Sequence, residues 1–262
     1  MEEAFAETVL AQITEAEREA AKLIMHAHGV LAQCKTGHRD VVTQYDREVQ
    51  ALLARRLLEA VPEGRFFCEE SEERDDLTAE HLFIIDPIDG TMNFVQGFNH
   101  SCISVAYARR GIVWAGAVYN PYVDEMFTAV RGQGAFLNGK PIRAYQGPLS
   151  ESVVCCGTSP YRSDLTDCTF SLMKRVYEAS LDLRRQGSAA LDLCSAAAGR
   201  AGAYFELSVS LWDYAAGALI VREAGGVCRN MEGEELGLVR EKTGILAGGP
   251  QAAEELLLLA RS

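Results

Sequence analysis

The chain has 262 residues, 48% of them hydrophobic and 24% charged, a balance that excludes disordered, collagen-like and coiled-coil chains and allows one large domain or two fused halves. Thirty-seven acidic residues against 25 basic ones give a formal net charge of −12, with no Lys/Arg-rich run, which disfavours direct binding to nucleic acid. The longest apolar stretches, such as residues 102–108 and 256–260, fall short of the roughly 18–20 residues of a membrane span, and Met1-Glu2-Glu3 lacks the basic start of a secretory signal, so a folded cytoplasmic protein is expected.

In chain order, residues 2–28 carry Phe5, Val9, Ile13, Ala16, Ala20, Leu23 and Ile24 at helical spacing, with Gly29 or Gly37 able to end the helix. Residues 40–43 read as a short strand or turn. Residues 46–58 return to helical spacing before Pro62. Residues 65–68 and 81–85 are short apolar or β-prone runs that suit buried strands, each delivering a carboxylate at its end. From 102 to 130 the pattern predicts an antiparallel meander, with turns at Gly111 and Asn120-Pro121. Beyond Lys140-Pro141 come a strand at 153–156, helices at 165–177 and 189–199, a strand at 203–207 and a helix at 214–224 ending at Gly225-Gly226. Helices and strands without a regular βαβ rhythm favour a layered α+β fold.

The eight cysteines (34, 68, 102, 155, 156, 168, 194 and 228) contain no C-x-x-C pair, so zinc and redox readings fail on spacing and free thiols are expected. The densest chemical signal is Asp86-Pro87-Ile88-Asp89-Gly90-Thr91. Proline keeps Asp86 extended and Gly90 permits a tight turn, so two carboxylates can converge on a hard cation such as Mg²⁺. Backbone N–H groups of the segment after Thr91 would favour a phosphate oxygen. The plainer reading is an Asp-Gly turn with a threonine cap. Glu69 opens an acidic run through Glu70, Glu72, Glu73, Asp75 and Asp76; such runs are usually solvated, but Glu69 directly follows an apolar strand, as Asp86 does. Asp213 after Trp212, and Asp46 after Thr43-Gln44-Tyr45, would by default be helix N-caps.

Together these residues resemble the inositol monophosphatase family of magnesium-dependent, lithium-sensitive phosphatases. Glu69-Glu70-Ser71 follows a strand, residues 86–94 match D-P-[IL]-D-G-T-x-N-F, and Trp212-Asp213-Tyr214-Ala215-Ala216-Gly217 leads to Glu223-Ala224-Gly225-Gly226. Cys68 stands where the family usually has Gly, and Met92 where Thr is common.

The resemblance implies a layered α-β-α-β-α sandwich of the sugar phosphatase type, usually a homodimer. Residues 1–145 would form an N-terminal half carrying most metal ligands, and residues 146–262 a C-terminal half carrying Asp213 and substrate contacts. Two to three Mg²⁺ ions are implied: Glu69, Asp86 and the Ile88 carbonyl at the first site, Asp86, Asp89 and Asp213 at the second, with Glu69 facing a third. Thr91, held by Asp46, and Glu69 would prepare a metal-activated water for direct in-line attack on phosphorus. Asp89, Gly90, Thr91, Gly187, Ser188, Ala189 and Asp213 would surround the substrate, and Glu206 would accept a ring hydroxyl. Lys35 falls near the family's metal-adjacent lysine or is a surface lysine.

The implied substrate is a small phosphate ester, myo-inositol monophosphate or a related polyol or sugar phosphate. Fructose-1,6-bisphosphatase, histidinol-phosphatase and 3′-phosphonucleotide activities share the scaffold. Arg162, Arg184 and Arg185 are candidates for a second phosphate. A regulatory protein that keeps the fold is the non-enzymatic alternative, since some bacterial relatives also bind transcription machinery.

Overall fold

The first apolar stripe folds as α1 (Glu2–Met25) in the computed structural model, which describes residues 2–37, 40–71 and 75–262 and leaves undescribed the side chains of residues 35–37 and 40. The helix stops short of its expected end, and Gly29, at φ 60°, redirects the chain. A hairpin of β1 (Ala32–Gly37) and β2 (Asp40–Thr43) follows, then α2 (Gln44–Ala60).

The first large sheet holds β3 (Arg65–Cys68), β4 (Leu82–Asp89), β5 (Cys102–Arg109), β6 (Ile112–Asn120), β7 (Glu125–Val130), β8 (Ala135–Leu137) and β9 (Lys140–Pro141). They lie in sequence order across it. All pairs are antiparallel except β3 with β4. Between β4 and β5 runs α3 (Thr91–Gln96).

The second sheet is built from β10 (Val153–Cys156), β11 (Asp182–Arg184), β12 (Ala203–Val209), β13 (Val227–Arg229) and β14 (Thr243–Gly248), in the spatial order β11-β10-β12-β14-β13. Around it lie α4 (Thr166–Ala179), α5 (Ala189–Ala197), α6 (Leu211–Glu223) and α7 (Pro250–Arg261).

Strand alternation sorts these elements into layers. Phe83, Ile85, Val105 and Ala117 point to one face of the first sheet, where α1 and α2 cover them with Ile13, Val49 and Leu53. Leu82, Ile84, Ala106 and Val118 point to the other face, against Leu193 of α5 and Tyr214 and Ala218 of α6. The same two helices bury Tyr204, Ile245 and Ala247 of the second sheet. Its far face, with Val154, Phe205 and Leu246, packs on Leu172 and Val176 of α4 and Leu256 of α7. The order is therefore α-β-α-β-α, as the resemblance implies. Gly116 and Gly217 mark where the middle layer packs tightest: a Cβ on Gly116 would come within 3.1 Å of the α6 backbone at Ala216, and one on Gly217 within 2.8 Å of Leu193.

Two expectations are corrected. Neither Asp46 nor Asp213 is an N-cap: α2 is capped by Thr43 and α6 by Ser210, and each aspartate sits three residues on as the return half of a capping box. Asp46 Oδ2 accepts from Thr43 N at 2.7 Å and Thr43 Oγ1 at 2.6 Å, and Asp213 Oδ2 accepts from Ser210 N at 2.6 Å.

Candidate active site

Asp86 and Asp89 are three residues apart on β4, so regular alternation would send them to opposite faces. Pro87 cannot donate to a ladder, and here the β4–β5 register slips: Asp86 pairs with Ser104 and Asp89 with Cys102, three steps on one strand against two on the other. This bulge brings both carboxylates to one side. Parallel pairing of Cys68 with Ile85 sets Glu69 next to Asp86, where its N–H donates to Ile85 O at 3.1 Å. The first turn of α6 delivers Asp213. Oxygens of Asp86, Asp89 and Asp213 lie within 4.8 Å of one another.

The cluster is electrostatically crowded. Burial, then Glu69, Asp89 and Asp213, push the Asp86 carboxyl well above the usual carboxylate range. Burial and then Asp89 and Glu69 do the same to Asp213. Burial raises Asp89 to about 6, opposed by the Ser188 hydroxyl at 2.5 Å and the Ala190 N–H at 2.7 Å, both of which donate to Oδ2.

These groups line a cleft of about 560 Å³ with Ile88, Gly90, Thr91, Gly187, Ser188, Ala189 and Glu206. Thr91 Oγ1 lies 2.9 Å from Ile88 O and 3.3 Å from Asp46 Oδ1, and Asp46 itself is buried behind it. Gly90, at φ 89°, leads into α3; a Cβ there would come within 3.1 Å of His100 O. Asn93 Nδ2 donates to His100 O and Gln186 O, both at 2.7 Å, which holds the backbone entering Gly187 against α3. Glu206 Oε1 accepts from Ser159 N at 2.8 Å and Ser159 Oγ at 2.9 Å, and its Oε2 accepts from Tyr204 OH at 2.9 Å.

Of the three arginines, only Arg185 lines the cleft, bonded to Thr158 Oγ1 at 3.1 Å. Arg162 pairs with Asp164 and Arg184 with Asp182 instead. In the acidic run, Asp75 Oδ2 accepts from Phe66 N, nine residues back on β3, and Asp76 Oδ1 accepts from Thr78 N in a local turn, so both carboxylates hold backbone. The Lys35 side chain, Glu72 and Glu73 lie outside the described residues.

Sequence reasoning missed Gly157, Tyr161, Asp192 and Lys242, all in the lining. Glycine at the end of the apolar strand 153–156 was an available signal for the first. Lys242, whose Nζ sits 3.8 Å from the centre of the Tyr161 ring, follows a loop with no pattern to read.

Residues 4–262 match the sequence model of the inositol monophosphatase family. An inositol-1-monophosphatase from Rhizobium meliloti is 38% identical over 221 residues, covering 84% of this chain and 82% of the relative. A putative Nus factor SuhB from Neisseria meningitidis serogroup B is 36% identical over 246 residues, covering 92% and 94%. Among solved structures, the extragenic suppressor protein suhB of Bartonella henselae superposes with a TM-score of 0.90 at 33% identity over 97% of this chain and 98% of that one. An IMPase from Thermotoga maritima gives 0.86 at 32% identity, covering 94% of each.

Proposed function

Since the chain belongs to the inositol monophosphatase family, we propose that it is a Mg²⁺-dependent phosphomonoesterase for myo-inositol monophosphate or a related polyol or sugar phosphate. The convergence of Asp86, Asp89 and Asp213 in one cleft carries this reading. The donor set fits a hard divalent cation: every ligand atom is an oxygen, and the burial and mutual repulsion that disfavour these carboxylates alone would be relieved by positive charge. Glu69, Asp86 and the Ile88 carbonyl would hold one ion, Asp86, Asp89 and Asp213 another, with Glu69 facing a third. Bound there, Mg²⁺ supplies acidification of a water and neutralisation of charge on the phosphoryl oxygens and leaving alkoxide.

The chain's own residues do the positioning. Thr91 has one hydroxyl proton and two acceptors, Ile88 O and Asp46 Oδ1; when it donates to Asp46, its lone pairs can accept from a water in the cleft. Asp46 is suited to this task because Thr43 fixes its other oxygen. Glu69 offers a carboxylate to take the proton of the attacking water. Ser188 and Ala190 tie Oδ2 of Asp89, fixing the rotamer that presents its other oxygen. Glu206, held by Ser159 and Tyr204, accepts a hydroxyl of the leaving alcohol.

Homodimerisation, lithium sensitivity, a cytoplasmic location and the division of labour between residues 1–145 and 146–262 belong to the same proposal. Among the described residues no helix is long and apolar enough to cross a membrane. Phosphate release from inositol phosphates, sugar phosphates, histidinol phosphate and 3′-phosphonucleotides with Mg²⁺ tests the substrate; preference for a bisphosphate or a nucleotide would move the assignment to that class. The Nus factor name of several relatives favours a second reading, a Nus factor role held with or instead of catalysis.

A further inference from the structure

Gly157 lines the cleft just beyond β10 and donates its N–H to Phe205 O at 3.0 Å. Its backbone is outside the left-handed region, so no turn requires a glycine here. Close approach does: a Cβ at this position would overlap Oε2 and Cδ of Glu206 and lie 2.6 Å from Oε1. Real Cβ atoms essentially never come within 3.0 Å of a heavy atom beyond their own residue and its chain neighbours. The carboxylate cannot retreat and keep its partners, because Ser159 N, Ser159 Oγ and Tyr204 OH fix both its oxygens. Ser159 adopts φ 39°, a conformation costly for a non-glycine residue that persists only when its surroundings enforce it.

The geometry points to Gly157 as a specificity-determining position: its missing side chain is what lets Glu206 stand in the cleft. Alanine at 157 fits the local backbone but displaces the Glu206 carboxylate, trading a hydroxyl acceptor for a methyl group. Asp86, Asp89 and Asp213 hang from β4 and α6, so the substitution acts on the choice of alcohol. This rests on the phosphatase reading above.

The test is a double-mutant cycle of wild type, Gly157→Ala, Glu206→Ala and the double variant, read as Tm and as kcat/KM with Mg²⁺ for inositol 1-phosphate and for phenyl phosphate, which has no ring hydroxyl. Gly157→Ala should lower the ratio of the two kcat/KM values at least roughly tenfold, the scale of a lost charged hydrogen bond. In the Glu206→Ala background it should change that ratio less than about threefold, because nothing remains to be displaced. The Tm loss should shrink in the same background. Equal effects in both backgrounds, or a parallel fall for both esters, would overturn the proposal. If wild type cleaves neither ester, the phosphatase reading has failed and the specificity role fails with it; Tm coupling that survives then identifies the reading, and not the Gly157–Glu206 contact, as the error.

Discussion

Asp86, Asp89 and Asp213 each have one oxygen held by a backbone N–H and are crowded by neighbouring carboxylates, which separates their structural from their chemical contribution. Asp89→Asn and Asp213→Asn each keep an oxygen for the Ala190 or Ser210 N–H and remove a buried like charge. Both should fold with little change in Tm yet lose turnover; a variant keeping more than about a tenth of the wild-type rate at saturating Mg²⁺ contradicts its place in the metal set. Thr91→Ala removes the group between Ile88 O and Asp46, so the rate should fall by about 10²–10⁴ with ion binding retained, and Thr91→Ser should recover much of it. A defect below tenfold, measured by phosphate release, would leave Thr91 a structural residue. Glu206→Gln can still accept from Ser159 and donate to the Tyr204 oxygen, so the fold tolerates it. Loss of the charged acceptor, about 1.5–3 kcal/mol, should cost roughly 10–150-fold in kcat/KM for inositol monophosphate. An equal loss on phenyl phosphate would make Glu206 structural.

At the scale of elements, α1 contains a residue its packing does not explain. Glu17 is fully buried, and among the described residues neither carboxylate oxygen has a hydrogen-bond partner. Burial pushes its carboxyl well above the usual range, opposed by Arg18. Because the folded state prefers the neutral acid, stability is greatest below the unfolded glutamate pKa and is lost as pH rises toward the folded one. Glu17→Met should therefore stabilise the protein by about 1–3 kcal/mol at neutral pH, several degrees in Tm, and by less at pH 4. A Tm unchanged or lowered at pH 7 would refute the unpaired-acid account.

The long helices and the meander were legible because their apolar periods are clear. The capping boxes were also written in the chain, as Thr43-Gln44-Tyr45-Asp46 and Ser210-Leu211-Trp212-Asp213, but an aspartate before an apolar helix reads most easily as the cap itself. The hairpin strand β1, with the sequence Ala-Gln-Cys-Lys-Thr-Gly, has no β pattern to read. The three-residue β13 depends on β14 for its conformation.

For the whole molecule, the five layers matter because they bring a bulged strand of the first sheet, the start of α6 and Glu206 in the middle of β12 to a common cleft. The D-P-I-D-G-T segment showed through its proline and glycine where Asp86 and Asp89 converge, the side proposed to take the cation. The side proposed to take the alcohol was less legible: Glu206 emerged only by resemblance, and the role proposed for Gly157 lies in the space it leaves, which no residue pattern encodes. The central claim is that these layers assemble a Mg²⁺-dependent phosphomonoesterase site. Its most direct test is phosphate release from inositol monophosphate by protein stripped with EDTA and then titrated with Mg²⁺. The account predicts no release from the stripped protein, activity restored by Mg²⁺, and inhibition by excess Ca²⁺, whose longer and looser coordination misplaces the attacking water. Full activity in EDTA, or none toward any phosphate monoester after Mg²⁺ is restored, would contradict it.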